Sequence, residues 1–346
     1  VISNNLKILI IRFSSFGDVT QSLSIPSKIK ERFPKAEIHF LTRKDFEILF
    51  HHHPAIHRLW LFEKKQGLWG LLYLVRELKK HKFSHIYDAH SSTRSLLVSW
   101  LLSPPLSLAR IFSPPLILRK SQKRWKRFML FRLRKNYYRQ PFSGQRDLLE
   151  PLSAWGVDEK LPPVPQLHLE SSRVARISSK LADLKFENFI ALAPSAAHEL
   201  KRWPLEYWQK FIELNPDKNF VCLGGPEDHF ILDLCKHAPE RTLNLAGALD
   251  FGESAVIVQK SKALVSNDTG VLHLAEQLGK MAIALMGPAP FGFPSRPLTT
   301  VLQLELPCRP CSKHGQGPCV NVQLQKCMRD ISPEHVSATL DRILKT

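Results

Sequence analysis

No Gly-x-Gly-x-x-Gly occurs in the 346 residues, so the glycine turn that brings a backbone against a dinucleotide pyrophosphate is missing. A nicotinamide or flavin enzyme is therefore disfavoured. Residues 1–13 read VISNNLKILIIRF, without a basic start, a long apolar core or a small-residue cleavage site, and no secretion is expected from them. The most apolar stretch, residues 96–118, is interrupted by Pro104, Pro105, Arg110, Pro114 and Pro115 and makes a poor spanning helix. A soluble or surface-attached protein is the expectation. Six cysteines are too few for a disulfide scaffold in so long a chain, which points to a reducing, cytoplasmic compartment. Acidic residues are also short: 31 Asp and Glu stand against 49 Lys and Arg, a formal charge of +18. Such an excess implies a polyanionic partner, whether nucleic acid, an anionic membrane or an acidic substrate, and charge alone does not choose among them.

The length exceeds what one hydrophobic core usually fills, so two domains are expected. Strands are predicted at residues 6–13, 37–41, 57–62 and 83–88, with helices at 19–33, despite Pro26, and near 44–50 and 68–80. A second series places strands at 189–193, 219–223, 242–245, 263–266 and 281–286, with helices at 205–214, 230–237, 253–260 and 270–278. Alternation of this kind means parallel sheets flanked by helices, an α/β class of two doubly wound domains. Residues 161–169, Leu-Pro-Pro-Val-Pro-Gln-Leu-His-Leu, read as the hinge, because three prolines in four residues cannot continue a helix. The expected boundaries are 1–165, 166–330 and a final helical segment, 331–346, crossing back to the amino-terminal domain.

Lys262-Ala263-Leu264-Val265-Ser266 reads as a buried strand, and Val271, Leu272, Leu274, Ala275 and Leu278 recur at helical spacing. Thr269 and Gly270 would open that helix, where unpaired N–H groups favour a diphosphate. Asp268 can face a sugar hydroxyl or simply cap the helix. His273, one turn inside, can reach the same anion. In Phe13-Ser14-Ser15-Phe16-Gly17-Asp18, Asp18 either accepts a proton from a substrate hydroxyl or caps the helix that follows. Lys201-Arg202-Trp203-Pro204 offers Lys201 as a point charge for a phosphate, or as a solvated lysine, with Trp203 able to pack beneath. Leu223-Gly224-Gly225-Pro226-Glu227-Asp228 ends another strand, with Glu227 placed for ribose hydroxyls and Asp228 competing for the role.

Together, S-S-F-G-D at 14–18, K-R-W-P at 201–204, G-G-P-E at 224–227 and S-N-D-T-G-V-L-H-L at 266–274 resemble the ADP-heptose:lipopolysaccharide heptosyltransferases of glycosyltransferase family 9. The match keeps the family's order and spans nearly the whole chain. The resemblance implies a GT-B fold, two Rossmann-like domains facing a central cleft. It also implies inverting, metal-independent transfer without a cofactor, from ADP-L-glycero-D-manno-heptose to a lipid A-core acceptor at the cytoplasmic face of the inner membrane. By this resemblance Asp18 matches the catalytic base, Lys201 the phosphate-binding lysine, Glu227 the ribose-binding acid and Asp268 the contact to the heptose hydroxyls. Thr269, Gly270 and His273 match residues around the diphosphate, and Arg12 and Ser15 belong to the acceptor side. Ser195-Ala196-Ala197 departs from the family's usual Gly or Thr near the donor phosphates, which puts side-chain contacts from that loop in doubt. Other readings stay open: a GT-B transferase or epimerase for another nucleotide sugar, or an inactive basic protein that binds a membrane surface or nucleic acid.

Residues 119–139 contain no acid, and aromatic residues alternate there with clustered positive charge. Trp125, Phe128, Met129 and Leu133 can form one apolar stripe flanked by Arg124, Lys126 and Arg127, the pattern of a helix on an anionic bilayer; the competing reading makes Trp125 and Phe128 core residues. No nucleic-acid module is recognised, so nucleic acid is not an expected partner. Cys308-x2-Cys311-x7-Cys319-x7-Cys327 could hold a metal, but only the first pair has familiar spacing, so packing cysteines are expected and no metal is assigned. Cys222 and Cys235 read as structural. In His51-His52-His53 consecutive side chains diverge, which favours a loop over a ligand set.

Overall fold

Lys7–Ile11 (β1, KILII) and Phe189–Ala193 (β6, FIALA) are almost wholly buried along their length, as strands covered on both faces must be. The structure is a computed structural model that describes residues 6–103 and 116–345. Arg110 and the prolines at 104, 105, 114 and 115 lie outside the described residues, as do residues 1–5.

The chain divides into two compact units: Val1–Lys123 with Gln145–His168, and Arg124–Gly144 with Leu169–Thr346. Unit 1 holds β1, Glu37–Arg43 (β2), Arg58–Phe62 (β3), His85–Asp88 (β4) and Leu116–Arg119 (β5) in the order β3-β2-β1-β4-β5. All its pairings are parallel, with Ile11 opposite Leu41 on one side and Asp88 on the other. Unit 2 holds β6, Asn219–Cys222 (β7), Thr242–Asn244 (β8), Leu264–Asn267 (β9), Ala282–Met286 (β10) and Thr299–Gln303 (β11) in the order β11-β10-β9-β6-β7-β8, again all parallel. Each order reverses once, between β1 and β4 in unit 1 and between β6 and β9 in unit 2. Ligands of open α/β sheets bind beyond the carboxyl ends of the strands at such a switch point. The loops carrying Asp18 and Asp268 both leave a switch-point strand.

One layer of the unit 1 core joins Leu9, Ile11, Phe13 and Phe62 to Leu71, Val75 and Val98 of the covering helices. Unit 2 has a layer on either face of its sheet, one around Trp203, Trp208, Phe211 and Phe220, the other around Val256, Leu264, Leu272 and Ala275. Trp203 is buried and its Nε1 donates to the Ile331 carbonyl at 2.8 Å, so the tryptophan fixes the loop ahead of it as well as filling space.

Three expectations need correction. The helix predicted over 19–33 is two helices, Phe16–Gln21 and Ser24–Arg32, and Pro26 does not make the break. Pro26 sits in the first turn of the second helix, where its missing N–H has no intrahelical partner to lose. The break comes at Ser22, whose hydroxyl bonds back to the Val19 carbonyl at 2.6 Å. Second, the amino-terminal half is not continuous to 165. Arg124–Gly144 belongs to unit 2, held by buried Leu130, by Phe131 edge-on to Phe291, and by Arg134, which donates to the Pro310 carbonyl at 2.5 Å. Third, the final helix, Pro333–Leu344, does not cross back but packs into unit 2, with Val336 and Leu340 in the Trp203 layer. The Pro-rich segment 161–169 spans the unit boundary, and Gln166 ties it to unit 1 through Ser27 at 2.6 Å. No helix among the described residues is long and apolar enough to cross a membrane.

Candidate active site

In unit 2 the strand β9 ends at Asn267 and the helix Gly270–Leu278 begins three residues later. Thr269 is its N-cap in an extended conformation (φ −142°, ψ 168°) and makes no side-chain capping bond, while within the first turn Leu272 N–H donates to the Thr269 carbonyl at 3.2 Å. The positive end of the helix dipole lies at Gly270. Asp268 is buried, and its Oδ2 lies 2.7 Å from Lys201 Nζ, with the two side chains 7 % and 14 % exposed. Lys201 ends the single turn Glu199–Lys201, and buried Asn267 sets its place. The Asn267 amide donates to the Pro194 carbonyl at 2.7 Å and its oxygen accepts from Trp203 N–H at 3.1 Å, stitching the loop after β6 to the end of β9.

Two glycines close on the pair. A Cβ on Gly292 would stand 1.8 Å from Asp268 Oδ1, and one on Gly315, whose φ is +79°, would stand 2.6 Å from Lys201 Cγ. Backbone therefore lies against both charged side chains, and a side chain at either position would have to displace its neighbour.

His273 is buried, with Nδ1 2.7 Å from Glu276 Oε2, while Glu276 Oε1 accepts from Arg296 N–H at 2.9 Å. These partners tie the helix Gly270–Leu278 to the loop after β10. Glu227 is exposed in the loop after β7, as a ribose contact requires. Asp228 is committed to structure: Oδ2 accepts from Gly225 N–H at 2.7 Å and Oδ1 lies 3.6 Å from Arg202.

In unit 1, Asp18 occupies the first turn of Phe16–Gln21. Its carboxylate accepts from the Ser15 hydroxyl at 2.9 Å and lies 2.6 Å from Arg12 Nη2. Arg12 is buried and its other terminal nitrogen donates to the Ala89 carbonyl at 2.5 Å, so the guanidinium is fixed between β1 and β4. Burial works to raise the Asp18 carboxyl, but the charges of Arg12 and Lys120 and the bonds from Ser15 outweigh it and hold the pKa down to about 2. The group is an anion at neutral pH. With 45 % of its side chain exposed it is also accessible. Arg12, expected on the acceptor side, holds this carboxylate. No local pattern marks the pair, because its members lie six positions apart across a turn.

Further clusters lie outside these two sites. Cys308, Cys311, Cys319 and Cys327 all line one narrow cleft and form no disulfide, with burial pushing Cys327 up to about 11. Glu37, His39 and His57 bring ligand atoms within 4.8 Å of one another. Trp60 Nε1 donates to His39 Nδ1 at 3.0 Å, which leaves the ring proton on Nε2, so that nitrogen offers no lone pair to an ion. His53 is buried, 3.0 Å from the Leu23 carbonyl, whereas His51 and His52 are exposed, as diverging neighbours must be. Cys222 and Cys235 are buried. Along the helix Arg124–Arg132 and just beyond it, Trp125, Phe128 and Leu133 are exposed and Met129 is half-buried, so Trp125 and Phe128 are not core residues.

Two Rossmann-like sheets of this order in one chain define the GT-B glycosyltransferase architecture. The solved structure of a family 9 glycosyl transferase from Veillonella parvula superposes with a TM-score of 0.79 at 18 % identity, covering 98 % of this chain and 97 % of the other. That of the Escherichia coli ADP-heptose LPS heptosyltransferase II gives 0.74 at 19 % identity, covering 98 % and 99 %. Among curated relatives, lipooligosaccharide heptosyltransferase 2 of Haemophilus ducreyi is 28 % identical over 303 residues, 82 % of this chain and 84 % of its own length. Residues 72–317 match the model of glycosyltransferase family 9 (heptosyltransferase), and the chain belongs to that family.

Proposed function

We propose that the protein transfers L-glycero-D-manno-heptose from ADP-heptose to the inner core of lipopolysaccharide, with inversion at the anomeric carbon. Membership of a heptosyltransferase family supports the sugar, and the name of the E. coli structural neighbour supports the ADP donor and the lipopolysaccharide acceptor. The observation that carries the reading is the Lys201–Asp268 pair beside an uncapped helix N-terminus at a switch point.

Unit 2 would hold the donor. The diphosphate takes the amides of Thr269 and Gly270 and the Lys201 ammonium, Glu227 takes the ribose hydroxyls, and Asp268 takes the heptose hydroxyls. Asp18 accepts the proton of the acceptor hydroxyl as that oxygen bonds to the anomeric carbon. The bond from that carbon to the diphosphate breaks, and ADP leaves with the electron pair. Lys201 and the helix amides meet the charge that grows on the leaving oxygen, a role that fixed donors fill without a divalent ion. A carboxylate held near pKa 2 is a weak base. It suits a reaction in which the proton moves late, after the attacking oxygen has become acidic through bonding to carbon. Arg12 and Ser15 position that carboxylate. The acceptor is a lipid, so the enzyme works peripherally at the cytoplasmic face of the inner membrane, with Arg124, Lys126 and Arg127 on its anionic surface.

The test is a transfer assay offering ADP-heptose with successively longer lipid A-core acceptors. Heptose should appear on one acceptor of defined length. Transfer from another nucleotide sugar at a higher rate, or none to any core acceptor, would refute the assignment.

A further inference from the structure

The helix Gly67–Lys79 buries Leu71, Val75 and Leu78 in the unit 1 core, as an amphipathic helix over a sheet should. Its outer face is not polar. Trp69 is 82 % exposed and Tyr73 is 68 % exposed, one turn apart, with Leu68 exposed beside them. The neighbouring helix Thr93–Leu102 contributes Leu96 and Trp100, the latter 53 % exposed, while its Ser95, Val98 and Ser99 face inward. The two helices pack side by side against the same sheet face, since Val98 joins Leu71 and Val75 in one core layer. Continuing the outer stripe, Arg76 and Lys80 follow Tyr73 at helical spacing, and exposed Lys64 and Lys65 precede Trp69. The one acid of the helix, Glu77, is taken by Lys80 at 2.7 Å.

Two tryptophans and a tyrosine left in water on adjacent helices exceed the scattered apolar residues of an ordinary surface. We propose that this two-helix face is a second docking surface, distinct from the 124–133 stripe, and that its occupant is an anionic lipid bilayer. The composition decides between lipid and protein. Lysine is depleted in protein interfaces, whereas Trp and Tyr flanked by Lys and Arg is the arrangement that settles at a membrane–water boundary. The aromatic rings enter the headgroup region and the bases meet lipid phosphates. The chain's charge of +18 complements the same surface. The choice of a bilayer rests on the membrane reading above, but the binding itself needs no donor and no transfer.

The full chain is sedimented with vesicles of 70 % phosphatidylcholine and 30 % phosphatidylglycerol, and with vesicles of phosphatidylcholine alone. Wild-type protein should favour the anionic vesicles. Substituting Trp69→Ser, Tyr73→Ser and Trp100→Ser together should weaken partition by about tenfold or more with an unchanged melting temperature, because these side chains are already in water. As a second measurement, brominated lipid should quench wild-type fluorescence, and Trp69→Phe should remove part of that quenching. Unchanged partition of the triple variant, quenching indifferent to Trp69, or a triple variant that alters only self-association would each overturn the proposal. A variant of Arg124, Lys126 and Arg127 alone that abolishes binding while the triple variant binds normally would also overturn it and leave the first stripe as the membrane contact. Absence of heptose transfer to a water-soluble core acceptor would refute the proposed function and leave these vesicle outcomes as they stand.

Discussion

Replacing Asp268 with Asn separates its two roles by the sign of their effects. In the structure Asp268 neutralises Lys201 across 2.7 Å with both side chains nearly out of water. Removing one member of a buried pair costs about 3 to 5 kcal/mol, and because Lys201 can still reach solvent the lower end applies, about 3 kcal/mol. For a unit of about 200 residues that lowers the melting temperature by roughly 5 to 10 °C. Binding of ADP should move the other way. An anion beside the phosphate site has gone and the Lys201 charge is unshared, so calorimetry should find ADP bound about 3 to 10 times more tightly. Lys201→Met should instead weaken ADP by about 10 to 100 times, the worth of hydrogen bonds to a charged group. Turnover with ADP-heptose should fall in both variants. If Asp268→Asn weakened ADP as Lys201→Met does, the carboxylate would not be a competitor for the lysine, and the phosphate assignment of Lys201 would fail.

Other consequences are as direct. Gly292→Ala forces a methyl group into Asp268 Oδ1, so the loop or the carboxylate must shift, and a displacement of about 1 Å should lower turnover by about a hundredfold; turnover within twofold of wild type would contradict the packing. Trp203→Ala should cost about 3 to 5 kcal/mol of unit 2 stability in urea unfolding, and a loss below about 1 kcal/mol would place Trp203 outside the core. Burial holds both His39 and His53 down to about 4. As pH falls below the ordinary value of 6.5 the unfolded chain takes up protons first, so stability is lost from about pH 6.5 to about pH 4, by roughly 3 kcal/mol for each histidine. His39→Gln should flatten that slope by about one proton, and an unchanged slope in unfolding at pH 7 and pH 5 would show that His39 is not the group.

The alternation of buried strands with helices was legible because parallel strands covered on both faces must be continuously apolar, as KILII and FIALA are. Edge strands β5 and β11 escaped the same reading: half-exposed LILR and TTVLQ carry no such run. The site loops were found through local chemistry, a small residue and an acid at a strand-to-helix turn. What the sequence does not encode locally is pairing. Lys201 with Asp268 and the Asn267 stitch depend on how strands lie beside one another, and Arg12 meets Asp18 only through the fold of the turn between them. The tie between His273 and Glu276 was equally hidden, because Glu276, one turn on, reads as an ordinary helix surface residue until the loop at Arg296 covers it. The final helix was misplaced for a similar reason, since an apolar stripe at helical spacing does not name the surface that buries it.

The central claim is that Asp18 takes the proton while unit 2 alone binds the nucleotide, and Asp18→Asn tests it. Heptose transfer from ADP-heptose to a core acceptor should fall by about 2 to 4 orders of magnitude, with ADP affinity within about twofold of wild type. Transfer that persists, or ADP affinity lost together with it, would contradict the account.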